Sequence, residues 1–176
     1  MNQPTDPSEI DDLWDYNDAA ASENRFRSRL ARTEPGSAAY LELLTQIARA
    51  QGLQRNFAGA NRTLFKVQSV LPPGAARPRI RYLLERGRVF NSAGQKPEAS
   101  ARFVEAWQLA RQTGEDFFAI DAAHMLAISA SPPEQADWNL RAIAAAEQSA
   151  QPHARNCLGS LYNSLGWTRH DQGDYA

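Results

Sequence analysis

Cys157 and His153 stand four residues apart, a separation that puts two side chains on one face of a helix. An imidazole beside a thiol is the pairing that activates a cysteine nucleophile. No orienting group and no oxyanion donors accompany the pair in the pattern, so Cys157 reads as a buried structural cysteine. His124, His153 and His170 are far apart in sequence, and none has a second ligand at metal spacing. His124 reads as a packed helix residue. The sequence carries no glycine-rich phosphate loop, serine elbow or paired-carboxylate arrangement. The expectation is a protein without catalytic residues, metal or cofactor.

Composition narrows the partners. Lysine and arginine number 19 against 20 aspartates and glutamates, a net charge of -1. That balance offers no basic field for nucleic acid and no acidic tail, so recognition must rest on local patches. A single cysteine excludes an internal disulfide and fits a reducing compartment. No run approaches the ~18 apolar residues of a membrane helix, and the first 15 residues are acidic where a signal peptide is basic and then apolar. The cytoplasm is the expected location. Nearly every basic residue is arginine and alanine is abundant, a bias that points to a bacterial genome of high GC content.

The elements that position these residues are helices. Prolines and glycines punctuate apolar stretches of helical period, and strand signals are missing. Residues 1–16 read as a flexible acidic arm, and residues 17–176 as one helical repeat domain with an incomplete last repeat. About eight helices are expected. Asn17 or Asp18 caps the first, which ends before Glu34-Pro35-Gly36. Ser37 caps the second, carrying Leu44, Ile47 and Ala48 inward to about Gln54. The third runs from Phe57 to Leu71 with Ala60, Leu64, Val67 and Leu71 in one stripe. The fourth opens at Pro78 and buries Ile80, Leu83, Leu84, Gly87 and Phe90 before Gly94. The fifth opens at Pro97 with Ala99, Phe103, Ala106 and Leu109 inward, stopping at Thr113-Gly114. The sixth spans about Glu115 to Ser129. Ser131 and Glu134 have capping-box spacing for the seventh, whose stripe is Ala136, Leu140 and Ile143. The eighth runs from near Pro152 to about Gln172. Trp107 falls in the stripe of a second helix and reads as core.

Aligning the hairpins brings small residues into register: Ala48, Gly87 and Gly166 in first helices, Ala60, Ala99 and Ala136 in second helices. Positions 60 and 99 are 39 apart and positions 99 and 136 are 37 apart, periods of a helical-hairpin array. Helix axes approach to ~8 Å only where glycine or alanine sits at the crossing. Leu83, Gly87 and Phe90, then Gly94, then Ala99, Phe103 and Ala106 resemble the tetratricopeptide repeat signature. Tyr162, Leu165 and Gly166 with Gln172-Gly173-Asp174-Tyr175 are similar to half a repeat and its turn. The resemblance runs from about Leu41 to the end. It is weaker over Leu44 to Val67 and weakest over Phe117 to Ile143, where His124 takes a small-residue position.

The resemblance implies an all-α, right-handed superhelical stack of antiparallel hairpins whose first helices line a concave groove. It carries onto that groove Glu42, Thr45 and Arg49; Arg81, Leu84, Arg88 and Asn91; Phe118, Asp121 and Met125; and Ser160, Asn163, Trp167 and His170. Arginine forks and an asparagine amide suit a carboxylate, so Arg81, Arg88 and Asn91 are candidates for holding an acidic or C-terminal peptide group. The competing reading pairs Arg81 with Glu85 one turn on. Trp167 and Phe118 are candidate aromatic anchors. The stretch Asp11-Asp12-Leu13-Trp14-Asp15-Tyr16 has two readings: a linear motif that docks on a partner or back onto the arginines of the chain's own groove, or a cap over the exposed end of the first hairpin. The implied function is a protein-binding scaffold for a protein or peptide, acidic in character, without nucleic acid or membrane. The alternative is a self-assembly module. In it, the last helix, leaving Leu158, Leu161, Tyr162 and Leu165 partly bare, pairs with a second copy.

Overall fold

A computed structural model describes residues 7–174, and every regular element among them is a helix. Their order is α1 (Pro7–Asp11), α2 (Ala19–Leu30), α3 (Ala38–Leu53), α4 (Phe57–Val70), α5 (Ala76–Ser92), α6 (Lys96–Thr113), α7 (Asp116–Ser129), α8 (Pro132–Gln148), α9 (Pro152–Arg155) and α10 (Leu158–Gln172). The expected eighth helix is broken at Asn156–Cys157, and α1 lies in the segment expected to be loose. The chain forms two compact units, Met1–Val89 and Phe90–Ala176.

Short polar side chains start several helices by accepting from backbone N–H groups that the first turn leaves unpaired. Asp18 accepts from Ala21 at 2.8 Å, Ser37 from Tyr40 at 3.2 Å and Asn56 from Gly59 at 2.9 Å. Ser131 and Glu134 form the expected capping box at α8.

In the first unit α3 packs between α2 and α4. A helix flanked on two sides is buried around most of its circumference, and Leu41 through Ala48 are all buried without a break. One cluster joins Ile10, Phe26, Leu43, Leu44, Ile47 and Val67; a second joins Ala48, Ala60, Leu64 and Val89. In the second unit α7 has the same place, between α6 and α8. There Ile120 and Ala123 meet Ala142, Ile143, Ala146, Leu161 and Leu165, with Trp107 and Trp138 packed edge to face against the cluster.

Three stripe assignments need correction. Leu140 faces outward, and the α8 position that turns inward is Asn139. The buried positions are 139, 142, 143, 145 and 146, a register offset from the one expected because an asparagine occupies a core site. Leu161 and Leu165 of α10 are buried against the second unit's core, so that face is covered. Gly166 marks no crossing: a Cβ built there meets nothing within 4 Å. Among the described residues no helix is long and apolar enough to cross a membrane.

Candidate interaction site

In the first unit a polar network is built on the face that α3 and α5 present to the N-terminal segment. Glu42 and Arg81 sit among apolar neighbours on α3 and α5, and each is almost fully buried. Burying one charge alone is prohibitive, so each is held by the other: Arg81 Nε donates to Glu42 Oε2 at 3.0 Å. The guanidinium's remaining edge donates to both carboxylate oxygens of Asp11, at 3.1 and 3.2 Å from Nη2, with Nη1 at 3.1 Å from Oδ1. The planar fork matches the two carboxylates in a way that an ammonium could not. Trp14 Nε1 donates to Gln46 Oε1 at 3.0 Å, and Gln46 Nε2 donates in turn to Thr45 Oγ1 at 3.1 Å.

Arg49, one turn further along α3, lies 5.4 Å from the Trp14 ring centre and 5.9 Å from that of Tyr16, and the two rings stack at 5.3 Å. Its guanidinium is 3.8 Å from Glu85, which also accepts from Arg88 Nη1 at 2.7 Å. Arginines and carboxylates therefore alternate: Asp11 and Glu42 around Arg81, Glu85 between Arg49 and Arg88. The residues nearest the docked segment are tied down by Ser22, whose hydroxyl accepts from the Asp15 N–H at 2.8 Å and donates to the Asp15 carbonyl at 3.0 Å.

The segment expected to be a flexible arm is thus packed down through Ile10, Leu13 and Trp14. Ile10 is 3% exposed within the first unit's core, and Leu13 and Trp14 pack against the same cluster. An aliphatic side chain and an indole with a buried partner outweigh the chain entropy that a polar arm would keep. Residues 1–6 of that arm lie outside the described residues.

The other interaction face belongs to the second unit. Leu161, Leu165 and Thr168 turn α10 inward, leaving Tyr162, Asn163, Gly166, Trp167 and His170 around an open depression of about 450 Å³. Trp167 is 61% exposed and Tyr162 51%. The Trp167 indole meets the His170 ring edge to face at 5.6 Å. Tyr162 Oη donates to Glu147 at 2.7 Å, and that bond to a carboxylate pushes the phenol's pKa up.

No family model matches the sequence, and no curated protein matches it.

The candidate residues divide by environment. Arg81, Leu84 and Phe118 are buried, which corrects their placement on an open groove: the two apolar side chains go to the interior, and Arg81 spends its donors on Asp11 and Glu42. The expected one-turn pairing of Arg81 with Glu85 gives way to Arg88–Glu85. Arg49, Arg88, Asn91, Asp121 and Met125 are half-buried. Asn163 and Trp167, with Ser160 and His170, stand exposed on α10. His124 is half-buried. Burial, reinforced by the Asp121 charge, pushes the Cys157 thiol pKa up, which disfavours the reactive thiolate.

Sequence reasoning offered docking of the Asp11–Tyr16 stretch on the arginines of the chain's own groove, as one of its readings, without naming the Asp11–Arg81 pair, and it missed Gln46 altogether. A signal for the network was present: Glu42 and Gln46 interrupt the apolar run Leu41, Leu43, Leu44, Ile47, where a charge is tolerated only when a partner meets it.

Proposed function

We propose that this chain is a protein-binding scaffold, a stack of helical hairpins of the tetratricopeptide kind that offers the α10 face to a partner. Helices that follow one another pack side by side within each unit: α2 on α3 and α3 on α4 in the first, α6 on α7 and α7 on α8 in the second. Ala48, Ala60 and Ala99 are fully buried, as small residues at helix crossings should be.

The observation that carries the reading is the exposure of Trp167 and Tyr162 beside two glycines. Large aromatic side chains left in water forgo ~1.5–3 kcal/mol each of available burial, and tryptophan and tyrosine dominate the residues that anchor interfaces. Gly159 and Gly166 have open space where a Cβ would stand, so a partner's backbone or bulky side chain can approach α10 between the rings. The occupant that fits is an apolar or aromatic segment with a polar edge for Asn163 and His170.

The same face supports a second reading, pairing with another copy through Trp167 and Tyr162. Sedimentation over a hundredfold range of concentration separates the two. A constant monomer mass with a partner bound by wild type and lost by Trp167→Ala, at unchanged melting temperature, supports the scaffold. A mass that doubles and reverts in Trp167→Ala supports self-pairing. A monomer whose binding is indifferent to Trp167→Ala removes the face from consideration.

A further inference from the structure

The face of α3 and α5 carries a different site, which rests on no part of the α10 reading. We infer that Pro7–Trp14 is an intramolecular ligand: it occupies a recognition site for peptides bearing a carboxylate three residues before a tryptophan, and a competing partner peptide displaces it.

The contacts are those of recognition. A segment whose whole task is to cover apolar surface does so most cheaply with apolar side chains, because a buried ion pair recovers little beyond its desolvation. Ile10 does make such a contact. The other anchors are directional: two carboxylate oxygens on the fork of Arg81, and one indole N–H on Gln46. Arg49 adds a cation over the indole face. Asp11 and Trp14 are three residues apart, and their partners come from two helices, the donor Arg81 on α5 and the acceptor Gln46 on α3. Chemistry of this kind reads a short sequence, and any peptide with the same two groups at that spacing satisfies the same donor and acceptor.

The means of release is also present. Asp15 is tied to Ser22, and α2 begins from its own cap at Asp18. Residues 7–14 can therefore leave without unwinding α2. The outlying ion pair of the segment, Arg29–Glu9 at 3.4 Å, is exposed and contributes little. A tethered ligand competes at an effective concentration on the order of millimolar, so a free peptide binds the wild-type chain only weakly until the tethered one is disabled.

The test titrates a fluorescein-labelled peptide of residues 7–16 into the full chain and into the full chain carrying Asp11→Asn and Trp14→Ala. The peptide should bind the double variant at least ~10-fold more tightly than wild type. A peptide carrying the same two substitutions should lose that gain. Equal affinity for both chains, or for both peptides, would overturn the inference. So would loss of helical circular dichroism in the double variant, since the segment would then be an indispensable part of the core.

Discussion

Arg81 and Asp11, 70 positions apart in sequence, meet through a guanidinium fork and both oxygens of a carboxylate in the interior of the first unit. Glu42 takes the fork's remaining nitrogen, so the arginine that the sequence offers as a peptide clamp is already clamped from within. The site is thus filled in the free chain, and its chemistry is visible in what fills it.

Removing the cation at the centre of this network takes away the positive charge that faces two carboxylates, Glu42 and Asp11, the first of them buried. Arg81→Met should cost about 3–5 kcal/mol, read as a lower urea midpoint with little change in slope. A loss under ~1 kcal/mol would mean that water reaches Glu42 and that the pair is not buried in solution. Arg81→Lys keeps the charge and forfeits the fork, and should fall between the two.

Asn139 lies buried on α8, donating from Nδ2 to Thr168 Oγ1 on α10 at 3.1 Å, while its Oδ1 has no partner. The Thr168 hydroxyl donates to the Ser164 carbonyl at 3.0 Å, which fixes the direction of the Asn139 bond. Thr168→Val strands a second polar atom and should cost ~1–3 kcal/mol. Thr168→Val with Asn139→Leu removes both ends and should recover most of that loss. A double variant as unstable as the two single losses added together would show that the two sites act independently.

Glu23 carries the first unit's clearest pH dependence. Burial pushes its carboxyl pKa up, but hydrogen bonds from Arg27 and Gln54, the Arg27 charge and a bond from Gln51 outweigh that and hold it below the ordinary glutamate value. The folded state therefore favours the ionised form. Its stabilising contribution is complete above the unfolded pKa and is lost as pH falls through the lower folded value. Wild type should lose stability below about pH 4.5 more steeply than Glu23→Gln, with the two curves parallel above pH 6. Curves parallel throughout would show that the carboxylate is not coupled to folding.

Much of the fold was legible because its signals are local. Caps at Asp18 and Ser37, the glycine breaks and the stripes of α4, α5 and α6 depend on neighbours within one turn, and these elements appear where periodicity puts them. Docking of the Asp11–Tyr16 stretch on the groove arginines was offered as one reading, but the particular pairing of Arg81 with Asp11 was not legible, because no local rule connects residues 70 apart. Asn139 misled the α8 register for the opposite reason: Leu140 looks like core by type, whereas the buried site holds an amide that Thr168 satisfies. The α10 face was readable at Trp167 and Asn163. Leu161 and Leu165 were misassigned to it, since only the packing on the second unit's core tells which apolar face is covered.

The hairpin turns yield a stability prediction. Gly94 and Gly173 adopt positive φ, with the following N–H bonded five residues back, Gln95 to Phe90 and Asp174 to Arg169, both at 2.9 Å. Between α3 and α4 the same geometry recurs, Asn56 to Gln51 at 2.9 Å, but the left-handed position at φ 60° is held by Arg55. A left-handed non-glycine residue costs ~1–2 kcal/mol, and glycine's extra freedom when unfolded returns ~0.5–1 of that. Arg55→Gly should therefore stabilise by about 0.5 kcal/mol, a rise of a degree or two in melting temperature. Destabilisation would show that the Arg55 side chain contributes contacts that outweigh its strained backbone.

Gly159 and Gly166 set stability against binding on α10. Glycine inside an exposed helix costs ~0.8–1 kcal/mol relative to alanine, and here nothing lies within 4 Å to oppose a methyl group. Gly166→Ala should therefore stabilise the chain by nearly that amount. If the two glycines let a partner approach between Tyr162 and Trp167, the gain comes with weaker association, and Gly166→Arg, which puts a long charged side chain on the same exposed face, should abolish it. Melting temperature and binding must be measured on the same preparations. Opposite movements tie the glycines to an interface, and a Gly166→Arg chain that still binds its partner with wild-type affinity removes α10 as the contact surface.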